Sequence, residues 1–450
     1  MGEPAAGAAA VDITPPLHIP YLGYVPRQGR FEEVHDPLFA RALVLEGDEG
    51  AVAVISADSI GYREELLGPG TSFVGEVRLR VRAATGLPED NVLLATTHAH
   101  STPETTGITE LLDAPGAEAW LWQLVDQLAE AAVCAWRSRQ AARLKAGTGQ
   151  VAGVAGYRRI LDLNGRFHEH ARRPPEGEIA DPGVVDEALP VLLAETPRGE
   201  PIGALIGYAC HPVVVQARPR VSADFPGAVC RKVEDQLGGA VCLFLQGACG
   251  NLNPVRGDTG DFGDVEAYGR LLADEALRQL AHLRQSPPAV SPAVAACRSV
   301  VHLAARPLPP LAPLQEQQAA AEARVATATD EGSRRQALSA LRDAQEAVRF
   351  VAMGDRPIPA DLQAIRLGDA VLLACPAELF VEYGLELRRR SPAPVTFVSA
   401  YTNGYIGYVA RPLDFERGGY EVMERPWCRV APGGGERIVE ELLACAQRVG

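Results

Sequence analysis

Residues 91–103, NVLLATTHAHSTP, carry an apolar run straight into His98 and His100. In an extended segment residues i and i+2 face the same way, so both imidazoles can address one point past the strand's end, where a metal ion or a proton relay would sit. Two hydrogen-bonded histidines at a strand end would leave the same trace, and the H-x-H pattern alone does not separate the readings. Other apolar runs end alike. Asp58 follows 51–57, His211 follows 202–209, and the amide-rich QGACGNLNP at 246–254 follows 240–245. Glu378 follows 370–375, and Tyr401, Tyr405 and Tyr408 follow 395–400. Ligands in open α/β sheets bind beyond the carboxyl ends of strands, so if these strands are neighbours, six ends meet in one cleft.

Two His and one Glu are a ligand set of catalytic zinc, which keeps a fourth position for water or substrate, while closed structural sites lean on Cys. No C-x-x-C spacing occurs. A bound Zn²⁺ would lower the pKa of its water toward about 7 and polarise a carbonyl, the requirements of amide or ester hydrolysis. Taken singly, His211 before Pro212 reads as a core histidine, Glu378 as a carboxylate near a helix start, and the tyrosines as loop aromatics. Their recurrence at strand ends is what points to one site. FHEH, with His168 and His170, is a second His pair, isolated and solvent-facing by its neighbours, and reads as surface. G-x-S-x-G, Walker A and H-E-x-x-H patterns are absent, which argues against an elbow-type serine hydrolase, a P-loop enzyme and a zincin.

The 450 residues are 47% hydrophobic and 22% charged, with a mean hydropathy of -0.02, as in a globular protein with ample core. A formal charge of -14 and the lack of a long basic run leave no surface for a phosphate backbone, so no nucleic-acid partner is expected. The nine cysteines are odd in number and scattered; they suit a reducing cytoplasm rather than a disulfide framework. No apolar run reaches the length of a transmembrane segment, and the first residues lack the basic and apolar regions of a signal peptide.

The candidate groups need alternating strands and helices to position them. Periodicity predicts a strand at 10–16 ended by two prolines, a glycine- and charge-rich loop at 21–36, and a hairpin of 40–45 with 51–57. Helices are expected at 73–84, 117–139, 228–237, 262–283 and 436–447, and strands at 142–149, 188–194, 202–209, 240–245, 290–303, 362–367, 370–375 and 395–400. The polar stretch 157–186 reads as a long loop forming a wall or lid of the site. Residues 314–353, rich in Ala, Gln, Glu and Arg with a DEGS break, read as a helical hairpin inserted on the surface for packing or oligomer contacts. No internal repeat and no linker divides the chain, so residues 1–450 are expected to form a single domain.

Several of these stretches, in order over nearly the whole chain, resemble the catalytic N-terminal domain of the neutral (non-lysosomal) ceramidase family. They are DITPP near the start, HDPLFARALVL at 35–45, ATTHAHSTP at 95–103, CHP with SADFPG at 210–227, QGACGNLNP at 246–254, CPAEL at 375–379, and NGYIGYV with GGYE at 403–421. The resemblance implies an α/β fold of two mixed β-sheets flanked by helices. It implies a zinc ion held by His98, His211, Glu378 and Tyr405, with His100 as a proton-transfer partner. It also places Arg158 near the reacting carbonyl, preceded here by Tyr157 rather than Asn, and makes Tyr408 and Tyr420 candidates to line the site and donate to an oxyanion. Family enzymes acting on ceramide carry a serine where this chain has Asn253, and a carboxamide cannot be acylated as that serine could. They often carry an immunoglobulin-like C-terminal domain, which is not expected here.

The expectation is a zinc-dependent hydrolase acting through metal-activated water on a small-molecule amide, N-acylated or lipid-like, or a related carbonyl compound. Homo-oligomerisation stays open. So do two other uses of the scaffold: a small-molecule-binding homologue without turnover, and a metal-assisted isomerase or cyclase.

Overall fold

The computed structural model describes residues 4–20, 30–107, 111, 114–216, 218–287 and 293–450. Strands in which every residue is buried, such as Val92–Thr96, Ala370–Ala374 and Val395–Ser399, need cover on both faces. They find it because three mixed sheets face one another while helices close their outer sides.

One topology occurs three times. Ala5–Asp12, Phe39–Gly47 and Gly50–Ala57 run antiparallel in succession, and the last pairs in parallel with Val92–Thr96. Arg143–Gln150, Ala188–Glu195, Pro201–Tyr208 and Val241–Gln246 repeat the order and directions. Val294–Leu303, Ile358–Leu367, Ala370–Ala374 and Val395–Ser399 repeat them again. In each unit the parallel pair is joined through a helix, respectively Phe73–Thr85, Asp224–Gln236 and Val381–Arg390. A longer helix follows the fourth strand, respectively Ala117–Arg137, Phe262–Gln285 and Gly434–Arg448. The larger sheets are therefore three where two were anticipated, within the expected α/β class. No repeat is readable in the sequence; backbone topology recurs while the side chains differ.

The three sheets share one core. Leu43 and Val54 of the first, Leu192, Leu205 and Leu243 of the second, and Leu372 and Phe397 of the third belong to a single cluster with no exposed surface. Each such side chain contributes about 1.5–3 kcal/mol by leaving water. The hairpin Leu311–Thr327 and Glu331–Ala352 lies outside this plan as expected. Asp330 caps its second helix, accepting from Ser333 N at 2.9 Å, and Arg425 holds that helix through its Asp343 and Glu346.

Other expectations shift. The first strand is Ala5–Asp12 rather than 10–16, because its Ala and Gly side chains are small enough to lie beneath the helix Ala117–Arg137. The polar stretch 157–186 is not a bare loop: Ile160–Asp162 pairs with Phe167–His168 and with Ile179–Asp181, in strands too short for a period of two to register. Most of the loop expected at 21–36 lies outside the described residues, as do residues 290–292 at the start of the strand expected at 290–303.

The ends of the three parallel pairs meet at Gln246, which is wholly buried. Its Nε2 donates to the carbonyls of Thr97 at 3.1 Å and Cys210 at 2.8 Å, and its Oε1 accepts from Cys210 N at 3.2 Å. Its own carbonyl accepts from Ala400 N at 2.9 Å. One residue thus joins all three sheets. Replacement by leucine strands a buried donor and two buried acceptors, so Gln246→Leu should lower the unfolding free energy by about 3 kcal/mol or more. Denaturant unfolding checks this, and Gln246→Glu, which turns a carboxylate on the Thr97 and Cys210 carbonyls in place of the amide donor, should also destabilise, less so at acidic pH where its carboxyl can donate.

Candidate active site

Two of the six strand ends carry residues that close on a single point with a third. His98 leaves Val92–Thr96 in a left-handed turn, φ 61°, rather than in the extended conformation that the H-x-H spacing suggested. A non-glycine residue there is costly and is held by its surroundings. The His98 amide donates to Ser59 O at 2.9 Å, and its ring stacks on Tyr401 with centroids 3.8 Å apart. His100 is still brought alongside, with its Nε2 3.3 Å from His98 Nε2. His211 and Glu378 come from the third strands of the second and third units. His211 Nε2 is 3.2 Å and His98 Nε2 3.6 Å from the same oxygen, Glu378 Oε2.

The other ring nitrogens decide what those contacts are. His98 Nδ1 lies 2.6 Å from Ile60 O, and His211 Nδ1 lies 2.7 Å from Cys249 O and 2.9 Å from Leu252 O. A carbonyl only accepts, so both Nδ1 atoms carry a proton and both Nε2 atoms are turned toward Glu378. Burial, aided by the Arg158 charge, pushes His211 down to about 4, so it is neutral near pH 7. Burial would raise the Glu378 carboxyl, but the two imidazoles beside it hold it well below the usual carboxylate range. Two imidazole nitrogens and a carboxylate oxygen converging on one point are the chemistry of a cation site, and backbone carbonyls fixing the outer nitrogen are its usual second layer. His98, His100 and His211 form a buried group able to hold a metal ion.

Tyr405 reaches this cluster through the carboxylate, donating from its hydroxyl to Glu378 Oε1 at 2.5 Å. Burial and the Glu378 charge push that hydroxyl well above the usual tyrosine range, so it stays protonated. Asp58 is not brought to the site. It accepts from Arg41 Nη1 at 2.9 Å and from Phe39 N at 2.9 Å, serving the framework of the first sheet.

A cleft of about 330 Å³ opens beside His100 and His211, with Arg158, Asn253, Tyr408 and Tyr420 on its wall. Arg158 Nη2 donates to Tyr408 Oη at 2.9 Å and to Gly250 O at 2.7 Å, Nη1 donates to Asn253 Oδ1 at 3.1 Å, and Nε donates to Glu421 Oε1 at 2.8 Å. Burial opposes this charge, but Tyr408 and Glu421 hold the guanidinium well above its usual range. Arg158 therefore orients its neighbours. Tyr408 Oη, already accepting from Arg158, has its own proton to give toward the cleft. Tyr420, 44% exposed, packs edge-on against Tyr408. The stretch 157–186 forms part of the wall as expected, but His168 is held by Asp162 at 2.9 Å, so FHEH is not a second metal pair.

Sequence reasoning missed Glu421, which anchors both Arg158 and Arg159; its place in GGYE was the available signal. It also had no explanation for the small residues of 247–250. Gly250 N donates to Leu379 O at 2.9 Å, and a Cβ on Gly250 would stand 2.5 Å from Glu378 O, so only glycine lets this backbone pass the strand end that carries the carboxylate.

The fold is that of the neutral ceramidases. Fold similarity extends over 99% of the chain to neutral ceramidase from Pseudomonas aeruginosa, with a TM-score of 0.71, 19% identity and 74% of that chain covered. It extends equally to a ceramidase complexed with C2, at a TM-score of 0.72, 18% identity and 75% coverage of that chain. In sequence, the chain is similar to neutral ceramidases of Drosophila melanogaster and Drosophila pseudoobscura pseudoobscura, 34% identical to each over 99 residues. That stretch is 22% of this chain and spans only 13% of those relatives. No family profile matches the chain. The resemblance read from the motifs is thus borne out, in sequence over this stretch and in fold over almost the entire chain.

The purified protein should bind about one divalent ion per chain by elemental analysis. His211→Ala and Glu378→Ala should abolish stoichiometric binding, and Tyr405→Phe, which frees one carboxylate oxygen, should weaken it about 10–100-fold in calorimetric titration.

Proposed function

We propose that the chain is a zinc-dependent amidohydrolase that cleaves an N-acyl bond with water as nucleophile. The observation that carries this reading is the convergence of the His98 and His211 Nε2 atoms on Glu378 Oε2, with both Nδ1 atoms committed to backbone carbonyls. His98, His211 and Glu378 would hold the ion, with His100 and Tyr405 adjoining them. Zinc bound there supplies a Lewis acid and a water whose pKa falls to about 7.

The remaining steps belong to side chains. His100 stands between the ion site and the cleft, where it can take a proton from the attacking water and return it to the leaving amine. Tyr408, its oxygen fixed by Arg158, aims a proton at the place where charge develops on the carbonyl oxygen. Asn253 gives its Oδ1 to Arg158 and keeps its amide N–H groups to orient the substrate. It cannot form an acyl intermediate, which favours direct attack by water. Tyr420 supplies an aromatic wall. The nine free thiols suit a reducing compartment, and we place the protein in the cytoplasm. Among the described residues no helix is long and apolar enough to cross a membrane.

Zinc-loaded protein should hydrolyse N-acyl amides, with loss of turnover on chelation and return on adding zinc. His100→Ala should lower kcat by about 10²–10⁴-fold while retaining zinc, and Tyr408→Phe by about 10²–10³-fold. Full turnover by zinc-free protein would overturn the reading.

A further inference from the structure

We propose that the substrate lying in this cleft is a short amide rich in hydrogen-bond donors, hydroxyl or ammonium groups, rather than a long-chain N-acyl lipid; this rests on the amidohydrolase reading above. A volume of about 330 Å³ is near the lower end of the about 300–1,000 Å³ found for small-molecule pockets, whose walls are predominantly apolar. Here hydrocarbon is limited to Phe167, Ala171, Val213 and Pro254 beside the two tyrosine rings. Arg159 covers one of these, its guanidinium carbon 4.5 Å from the Phe167 ring centre. An acyl chain would gain little by leaving water against such a surface.

What the wall offers away from Arg158 and Tyr408 is acceptors. The turn 213–216 follows His211 directly, and the loop 258–260 is fastened to it by Asp258 N on Val213 O and Gly260 N on Val214 O, both at 2.9 Å. This pair of segments presents Gln216 and Asp258 to the cleft, and Glu169 faces them from the stretch that carries His170. Gln216 gives an amide proton to Asp258, while burial and the Glu169 charge push the Asp258 carboxyl above its usual value. Neither carboxylate has an ion-pair partner among the described residues. Gln216 is 5% exposed, and its Oε1 has no hydrogen-bond partner among the described residues. A buried acceptor without a partner is costly, and a donor from a ligand removes the cost. Sites built to hydrogen-bond a substrate group reject analogues lacking it far more strongly than apolar pockets reject an extra methylene.

The test is a matched set of soluble amides, acetyl or octanoyl on one side, and an amine that is plain alkyl, hydroxylated or ammonium-bearing on the other. Zinc-loaded protein should favour acetyl over octanoyl, and a donor-bearing amine over plain alkyl, by about tenfold or more in kcat/KM; the two donor arms show which group is taken. Gln216→Leu with Asp258→Leu should bring the donor preference close to parity, whereas Gln216→Glu, which keeps the acceptor, should retain it. A kcat/KM that rises with acyl length, or a preference untouched in the double variant, overturns the proposal. If no amide is turned over, the amidohydrolase reading fails by itself. Calorimetric binding of the same set then decides the substrate class: tighter binding of the acetyl, donor-bearing members supports it, and equal or tighter binding of octanoyl alkylamides overturns it.

Discussion

The structure depends on three sheet ends being held at one place, and a single buried amide makes the joint. Gln246 is hydrogen-bonded to the backbone of Thr97, Cys210 and Ala400, one from each repeated unit. Every residue of the histidine–carboxylate cluster sits within a few positions of one of these anchors or of the neighbouring third-strand ends. Around the amide, the edge strand Val92–Thr96 is stitched to the last unit by Leu94 N on Asn403 Oδ1 at 3.1 Å and Asn403 N on Leu94 O at 2.7 Å. The left-handed backbone at His98, Tyr401 and Asn403 is concentrated at this joint. Strain of about 1–3 kcal/mol per residue is tolerable only where surrounding contacts over-determine the geometry, and here they do.

The electrostatic arrangement divides the site into two halves. On one side are the paired Nε2 atoms and the Glu378 carboxylate; on the other are donors that burial keeps protonated, Tyr405 and Tyr408, with Arg158 permanently charged behind them. A cation and a developing oxyanion need these opposite environments a few ångströms apart. The fold keeps them distinct by drawing acceptors from strand ends and donors from the loops that follow.

Much of this was legible from residue order. Strand-ending His98, His211 and Glu378 could be chosen because each closes an apolar run, and strand ends are where α/β sheets place ligands. The same rule also selected Asp58, which the structure commits to Arg41; nothing local distinguishes a strand-end carboxylate that faces a cleft from one that faces a buried guanidinium on the neighbouring strand. The threefold plan was hidden because topology constrains pairing order, whereas the sequence records only which faces are apolar. Short pairings such as Ile160–Asp162 with Phe167–His168 escaped for a related reason, since two or three residues carry no period. Arg158 lines the cleft, yet its four hydrogen bonds, which make it an orienting group, needed the partner Glu421 from 263 positions away.

The recurrence of one unit three times has a consequence for how the chain holds together. The first unit supplies His98, the second His211 and the third Glu378, the last two 167 positions apart in sequence. An ion bound among them would be one more non-covalent cross-link between three segments that already share a core and the Gln246 joint. Its affinity is then part of the cohesion of the whole assembly, because side chains so distant along the chain meet only when all three units have docked.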